Sequence, residues 1–220
     1  MKHLLKSIIL LIFVFLSIEN TEAQITSKKL DTKQIPSSLK YKGNVIDAIQ
    51  WKDNQGENIL ILTETGEFAH TKENPDSRDA ELYGYHFVKK EKEWKLLWKI
   101  VDFIRECDVD IILQFKKEVT SITDLNKNNI AETWLFYELS CAGDVSPNDI
   151  KLIMHEGEKK YAIRGSQKMI FKTDPNEKPG VVGGDKTIDP AFKSGPVNFL
   201  EYANKLWDKN SNTVIQTYDE

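Results

Sequence analysis

From Asn44 to Arg164 the chain is a succession of short runs in which apolar and polar residues alternate. A period of two predicts strands. Val45, Ala48, Ile49 and Trp51 lead to a turn rich in Asp53, Asn54, Gln55 and Gly56, and the run at 58–63 (NILILT) follows it as a hairpin. Thr65 and Gly66 mark the next turn, and 73–78 (ENPDSR) reads as a polar loop. The clearest hairpin joins 82–89 to 94–103. Tyr83, Tyr85 and Phe87 alternate on one face of its first strand, and Trp94, Leu96, Trp98 and Ile100 on one face of its second. The segments 108–115, 119–123 and 132–140 predict further strands.

The hairpin 151–164 has a readable register. Gly157 and Glu158 form its turn, so Met154 faces Tyr161 and Leu152 faces Ile163. His155 then faces Lys160 on the side expected to be wet. Residues 178–186 (KPGVVGGDK) read as a Gly/Pro loop. Only 196–209 carries a helical period, with Phe199, Leu200, Ala203 and Trp207 spaced by three or four after Pro196. The expected fold is mainly β: antiparallel hairpins in a meander, with blade-like sheets and one C-terminal helix. A closed propeller is not expected, since four blades of about 45 residues would consume nearly the whole mature chain.

The N-terminus does not fit this pattern. Lys2, His3 and Lys6 precede an uncharged apolar run at 7–18, and Thr21 and Ala23 are small. That is the layout of a secretory signal peptide, 1–23, cut after Ala23. A permanent span needs about 20 apolar residues, so no membrane span is expected after cleavage. Residues 24–42 are polar and read as a mobile lead-in, and 43–220 as one β-rich domain. Export places the protein in the periplasm or on the surface of a bacterium.

Composition narrows the function. The 220 residues are 40% hydrophobic and 29% charged, with net charge −4. Enough apolar content for a core excludes a disordered chain. An acidic balance without a basic tract excludes nucleic acid as a partner. The two cysteines, Cys107 and Cys141, predict one disulfide in an exported chain. It would contribute roughly 3–4 kcal/mol on the chain-entropy model; two buried free thiols are the competing reading. A tight hairpin at 124–132 would bring Cys141 near Phe115, some eight residues from Cys107, so the bridge requires a fold-back that the spacing does not supply.

Asp124, Asn126 and Asn128 alternate, followed by Asn129, Ile130 and Glu132. Side-chain oxygens at positions 1, 3 and 5, a carbonyl at 7 and a carboxylate at 9 can wrap calcium. Asn129 stands at the position that needs a left-handed backbone, which Asn tolerates. With two charged ligands the affinity would be modest, ~10⁻⁴–10⁻³ M. An Asx-rich turn without an ion uses the same residue types. The segment resembles the calcium loops of FG-GAP-type propeller repeats. It has an internal echo, because 51–62 (WKDNQGENILIL) is another acidic turn followed by a strand.

Along 123–165 the chain carries TDLNKNNIAE, CAGDVSP, KLIMHEG and KYAIRG. This series resembles a family of exported bacterial proteins labelled surface polysaccharide biosynthesis proteins, over about a fifth of the chain. The resemblance implies a role at the cell envelope and supplies no catalytic residues. Ser146, Pro147 and Asp149 read as the opening of a short helical turn supported by Asp144, with Arg164 free to pair with Asp144 or Glu156.

No G-x-S-x-G or H-E-x-x-H occurs, and the phosphate-loop spacing at 180–187 is too short. The leading expectation is an exported non-catalytic envelope protein linked to surface polysaccharide. The alternative is a module binding an envelope glycan or peptide through Tyr83, Trp94 and Trp98, with Asp144 and Arg164 as polar contacts. At a period of two, such an aromatic stripe is more often the mark of a core. A hydrolase with an unrecognised site is the third reading.

Overall fold

The computed structural model describes residues 25–174 and 176–216. The expected signal segment 1–23 and its cut lie outside them. Most of the described residues are in strands, which form three sheets. The first is an antiparallel meander of β1 (Ser27–Lys29), β2 (Asn44–Asp53), β3 (Gly56–Ala69), β4 (Arg78–Lys90) and β5 (Glu93–Cys107), in that spatial order. The second contains β6 (Ile111–Phe115), β7 (Ser121–Thr123), β8 (Glu132–Cys141), β9 (Asp149–Glu156), β10 (Lys159–Ser166) and β13 (Lys186–Ile188). Its order is β13-β10-β9-β8-β6, and β7 also pairs with β8. β11 (Lys168–Lys172) joins β12 (Gly180–Gly183) and, in parallel, β14 (Asn212–Gln216) in a small third sheet. Two helices follow β13: α1 (Pro190–Ser194) and α2 (Val197–Asn210).

The two large sheets pack face to face. Trp51, Leu60, Leu62, Leu82 and Ile100 of the first meet Leu135, Tyr137, Ile153 and Ala162 of the second. The reverse face of the second sheet, with Trp134, Phe136, Leu152, Met154 and Tyr161, is covered by Phe192 of α1 and Phe199, Ala203 and Trp207 of α2. Spacings of four put those three α2 residues on one stripe. The central strands of the second sheet are therefore buried on both faces, which explains the continuous apolar run in β8.

The β9–β10 hairpin has the expected register: Met154 opposite Tyr161, Leu152 opposite Ile163, and Gly157 at φ 56° in the turn. The expected wet side is not wet. His155 is buried, because that side of the hairpin faces the first sheet.

Four further expectations about the strands and their connections differ from the structure. First, the lead-in is not a mobile tail. β1 pairs with β2, and Ile35 and Leu39 are buried on the outer face of the first sheet against Ile59, Ile61, Tyr83, Tyr85 and Phe87. Each such side chain contributes roughly 1.5–3 kcal/mol, enough to hold a segment that is polar on average. Second, Thr65 and Gly66 form a bulge within β3 rather than a turn. Third, His86 pairs with Trp98 but Phe87 pairs with Leu96, so Leu97 is an extra residue in β5. The bulge reverses the alternation: Trp98 and Ile100 point into the core, whereas Trp94 packs on the outer side. Fourth, 178–186 is not simply a loop, since it contains β12 and the start of β13.

Cys107 and Cys141 form a disulfide with a Cα separation of 5.9 Å. It joins the end of β5 to the end of β8 and so staples one sheet to the other. The fold-back comes from a turn over residues 116–120, closed by Val119 N–H donating to Lys116 at 2.9 Å. Thr123 pairs with Glu132, but after this turn Phe115 pairs with Tyr137. The slip brings Ile111, rather than Phe115, opposite Cys141.

Candidate functional site

The loop between β7 and β8 is held by its own polar groups. Asp124 accepts hydrogen bonds from the backbone N–H groups of Asn128 (3.1 Å) and Asn129 (3.0 Å). Asn126 Oδ1 accepts from Asn128 N–H at 3.1 Å, and Asn128 Oδ1 from Ile130 N–H at 2.8 Å. Glu132 has no exposed surface; it accepts from Leu125 N–H at 2.9 and 3.1 Å and from the Thr123 hydroxyl at 2.6 Å. Burial, together with Asp124 and Glu156 nearby, raises its carboxyl above the usual range. The amides of Asn126 and Asn128 both donate to Glu156, at 2.5 and 2.7 Å. Asn129 has φ 60°, the left-handed backbone its position requires.

The echo of this loop, the β2–β3 turn, lies against it. Asn54 donates its N–H to the Asn129 carbonyl at 2.8 Å and its amide to the Asn128 carbonyl at 3.2 Å. Asp53 receives four donors: Trp51 Nε1, Gln55 N–H, the Asn58 amide and Ala131 N–H, at 2.8 to 3.1 Å. From the other side, Asn198 of α2 donates to the Leu125 carbonyl at 2.6 Å. Among the described residues, no group of three or more His, Cys, Asp or Glu is placed to hold a metal ion.

Three histidines lie in the described residues, and each is committed. His86 meets Trp98 edge-on at 5.2 Å, and His155 stacks on Trp98 at 4.1 Å. Burial lowers both to a pKa of about 3, so they are neutral at pH 7. His86 Nε2 meets Asn58 Oδ1 at 2.9 Å. His70 Nδ1 lies 2.9 Å from Asp79, and its Nε2 3.1 Å from Glu106.

The residues expected to bind a ligand do not converge. Tyr83 and Trp98 are 4% and 8% exposed, too enclosed to stack a sugar. Trp94 is half-buried on the outer face. Asp144 lies beside a cleft of about 720 Å³ lined by Val109, Cys141, Ser146 and Pro147. The expected helical turn is absent there: Ser146 Oγ bonds Asp144 at 2.6 Å and β9 starts at Asp149. Arg164 pairs with Asp189 at 3.3 Å, not with Asp144 or Glu156.

A different set of side chains shares one exposed surface, the outward row of β5. Leu96, Val101 and Phe103 are 50%, 47% and 51% exposed. Lys99 and Arg105 belong to the same row. The Lys99 ammonium lies over the rings of Tyr83 (4.8 Å) and Tyr85 (5.4 Å), and the Arg105 guanidinium over Phe103 (4.5 Å). Beneath them is Glu81, which contacts Lys42, Arg105 and the Tyr83 hydroxyl. Burial alone would raise its carboxyl; the bonds from Lys42, Tyr83 and Arg105 outweigh that and hold it at about 2. The bulge at Leu97 hid this row, because an uninterrupted alternation assigns Leu96 to the same face as Trp98.

Comparison with protein-family models, with curated proteins and with solved structures found no match.

Proposed function

We propose that this chain is an exported, non-catalytic β-sandwich protein of the bacterial cell envelope, working with the surface-polysaccharide apparatus. The observation that carries the reading is the Cys107–Cys141 bridge between the two sheets. Such a bond persists in an oxidising compartment and is rare in the cytosol. It agrees with the leader-like segment 1–23 and with the envelope label that the 123–165 motifs resemble. The non-catalytic part draws on the lack of the serine-hydrolase and zinc-protease motifs in the sequence and, in part, on the histidines. Two are enclosed and neutral, and the third has a carboxylate at each ring nitrogen, so none of the three is poised as a general base beside a nucleophile.

The test is deletion of the gene in its own bacterium, followed by extraction and sizing of the surface polysaccharide. The reading expects a changed amount or chain length, restored by the intact gene. An unchanged polysaccharide would remove that part of the proposal.

A further inference from the structure

We propose that the outward row of β5 is a binding strip for an acidic polysaccharide chain. This rests on the envelope reading only for where such a polymer is met; the chemistry comes from the strip itself. The row Leu96, Lys99, Val101, Phe103 and Arg105 runs along one strand for ~30 Å at about 3.3 Å per residue. β5 ends its sheet, so nothing pairs with its far edge among the described residues. Elsewhere the same sheet face is closed by Leu30, Ile35, Leu39 and Tyr41. Leu96, Val101 and Phe103 thus remain half-exposed on a sheet whose neighbouring strands are capped.

The charges select the occupant. Lys42, Lys99 and Arg105 lie about two buried carboxylates: Glu81, which Lys42 and Arg105 both contact, and Asp79, 3.5 Å from Arg105 Nε. Lys99 lies over the rings of Tyr83 and Tyr85. Three cations against two carboxylates leave the strip a small positive excess, carried outward by Lys99, within a chain of net charge −4. A bare apolar strip would suit many partners, but this one interleaves apolar and cationic side chains along a line. A sugar acid polymer repeats both features. Its C–H faces can lie on Phe103, Val101 and Leu96, and its carboxylates can meet Lys99, Arg105 and Lys42. A bilayer fits less well, since it calls for a broad apolar face rather than a line one strand wide.

Affinity electrophoresis of the full-length protein, exported and purified, tests this. Gels containing polygalacturonate, gels containing dextran and plain gels are compared, alongside sedimentation with phosphatidylglycerol vesicles and size-exclusion chromatography. The expected result is retardation by polygalacturonate alone, abolished in 0.5 M NaCl. Lys99→Gln with Phe103→Ser should weaken it at least tenfold. Both side chains are exposed, so an unchanged melting curve is expected to verify the fold. Lys168→Gln, remote in the third sheet, should retain binding. Equal mobility in all gels overturns the inference. So does undiminished binding by the folded double variant, preferential binding to vesicles, or a dimer that the double variant dissolves. None of these outcomes bears on export, which is read from the protein's location and N-terminus.

Discussion

Asp53 Oδ2 accepts the backbone N–H of Ala131 at 3.1 Å, joining two turns that lie 78 positions apart in the sequence. The two turns have similar sequences, and each supplies what the other lacks. Asp53 gives an acceptor to the chain entering β8, and the 124–132 loop offers carbonyls to Asn54. The bond therefore ties one sheet to the other at a site separate from the disulfide.

Asp53→Ala should be strongly destabilising. Four donors lose one acceptor group, and partly buried unsatisfied donors cost roughly 1–3 kcal/mol each before water compensates. A loss of about 2–4 kcal/mol is expected in urea unfolding. Asp53→Asn should recover less than half of it, because its amide nitrogen would face donors. A loss below 0.5 kcal/mol for Asp53→Ala would show that the turns are held by something else.

Removing the bridge should cost about 3–4 kcal/mol on the chain-entropy model. Cys107→Ala with Cys141→Ala, unfolded in urea, measures it. The double variant should still fold at 25 °C, since both sheets keep their apolar interface. Equal midpoints with and without the bridge would deny it a stabilising role.

Stability should fall in mild acid. His86 and His155 have folded pKa values of about 3, below the ordinary 6.5. Above pH 6.5 they are neutral whether folded or unfolded and contribute nothing. Between pH 6.5 and 3 the unfolded chain takes up protons that the native one refuses, so each histidine lowers stability by up to about 1.4 kcal/mol per pH unit. Glu81 acts lower: its stabilisation is complete above 4.5 and is lost as pH falls towards about 2. Glu132, raised by burial, acts in the opposite sense and gains on protonation. Urea midpoints from pH 7 to 5 check the histidines. His155→Phe, which keeps a ring against Trp98, should flatten the slope by about half. An unchanged slope would mean that another group titrates.

Calcium should leave the melting temperature unchanged relative to chelator. Asp124, Asn126, Asn128 and Glu132 already accept hydrogen bonds within the loop. An ion would have to displace or share these bonds at four positions. A rise of several degrees with millimolar calcium would show that the loop rearranges around the ion.

Much of the architecture was legible because strand period and turn chemistry are local. The β9–β10 register followed from Gly157 alone, and α2 from the spacing of Phe199, Ala203 and Trp207. What escaped depends on tertiary contacts. Ile35 and Leu39 are isolated in a polar segment, and only the face of β3 and β4 makes them core. The extra residue at Leu97 leaves no mark in a hydrophobic pattern, yet it moved Leu96 outward and left Trp98 inward. The pairing of Cys107 with Cys141 was expected from export, but its geometry required the 116–120 turn, which reads as ordinary polar sequence. Tyr83 and Trp98 were candidates for ligand contact because aromatic stripes of core and of surface look alike.

The most direct test is the intact mass of the native protein, taken from separated cell fractions and alkylated with and without prior reduction. The account predicts a chain beginning at Gln24, found outside the cytosol, that accepts alkyl groups at Cys107 and Cys141 only after reduction. A cytosolic chain retaining Met1, with both thiols alkylated directly, would contradict it.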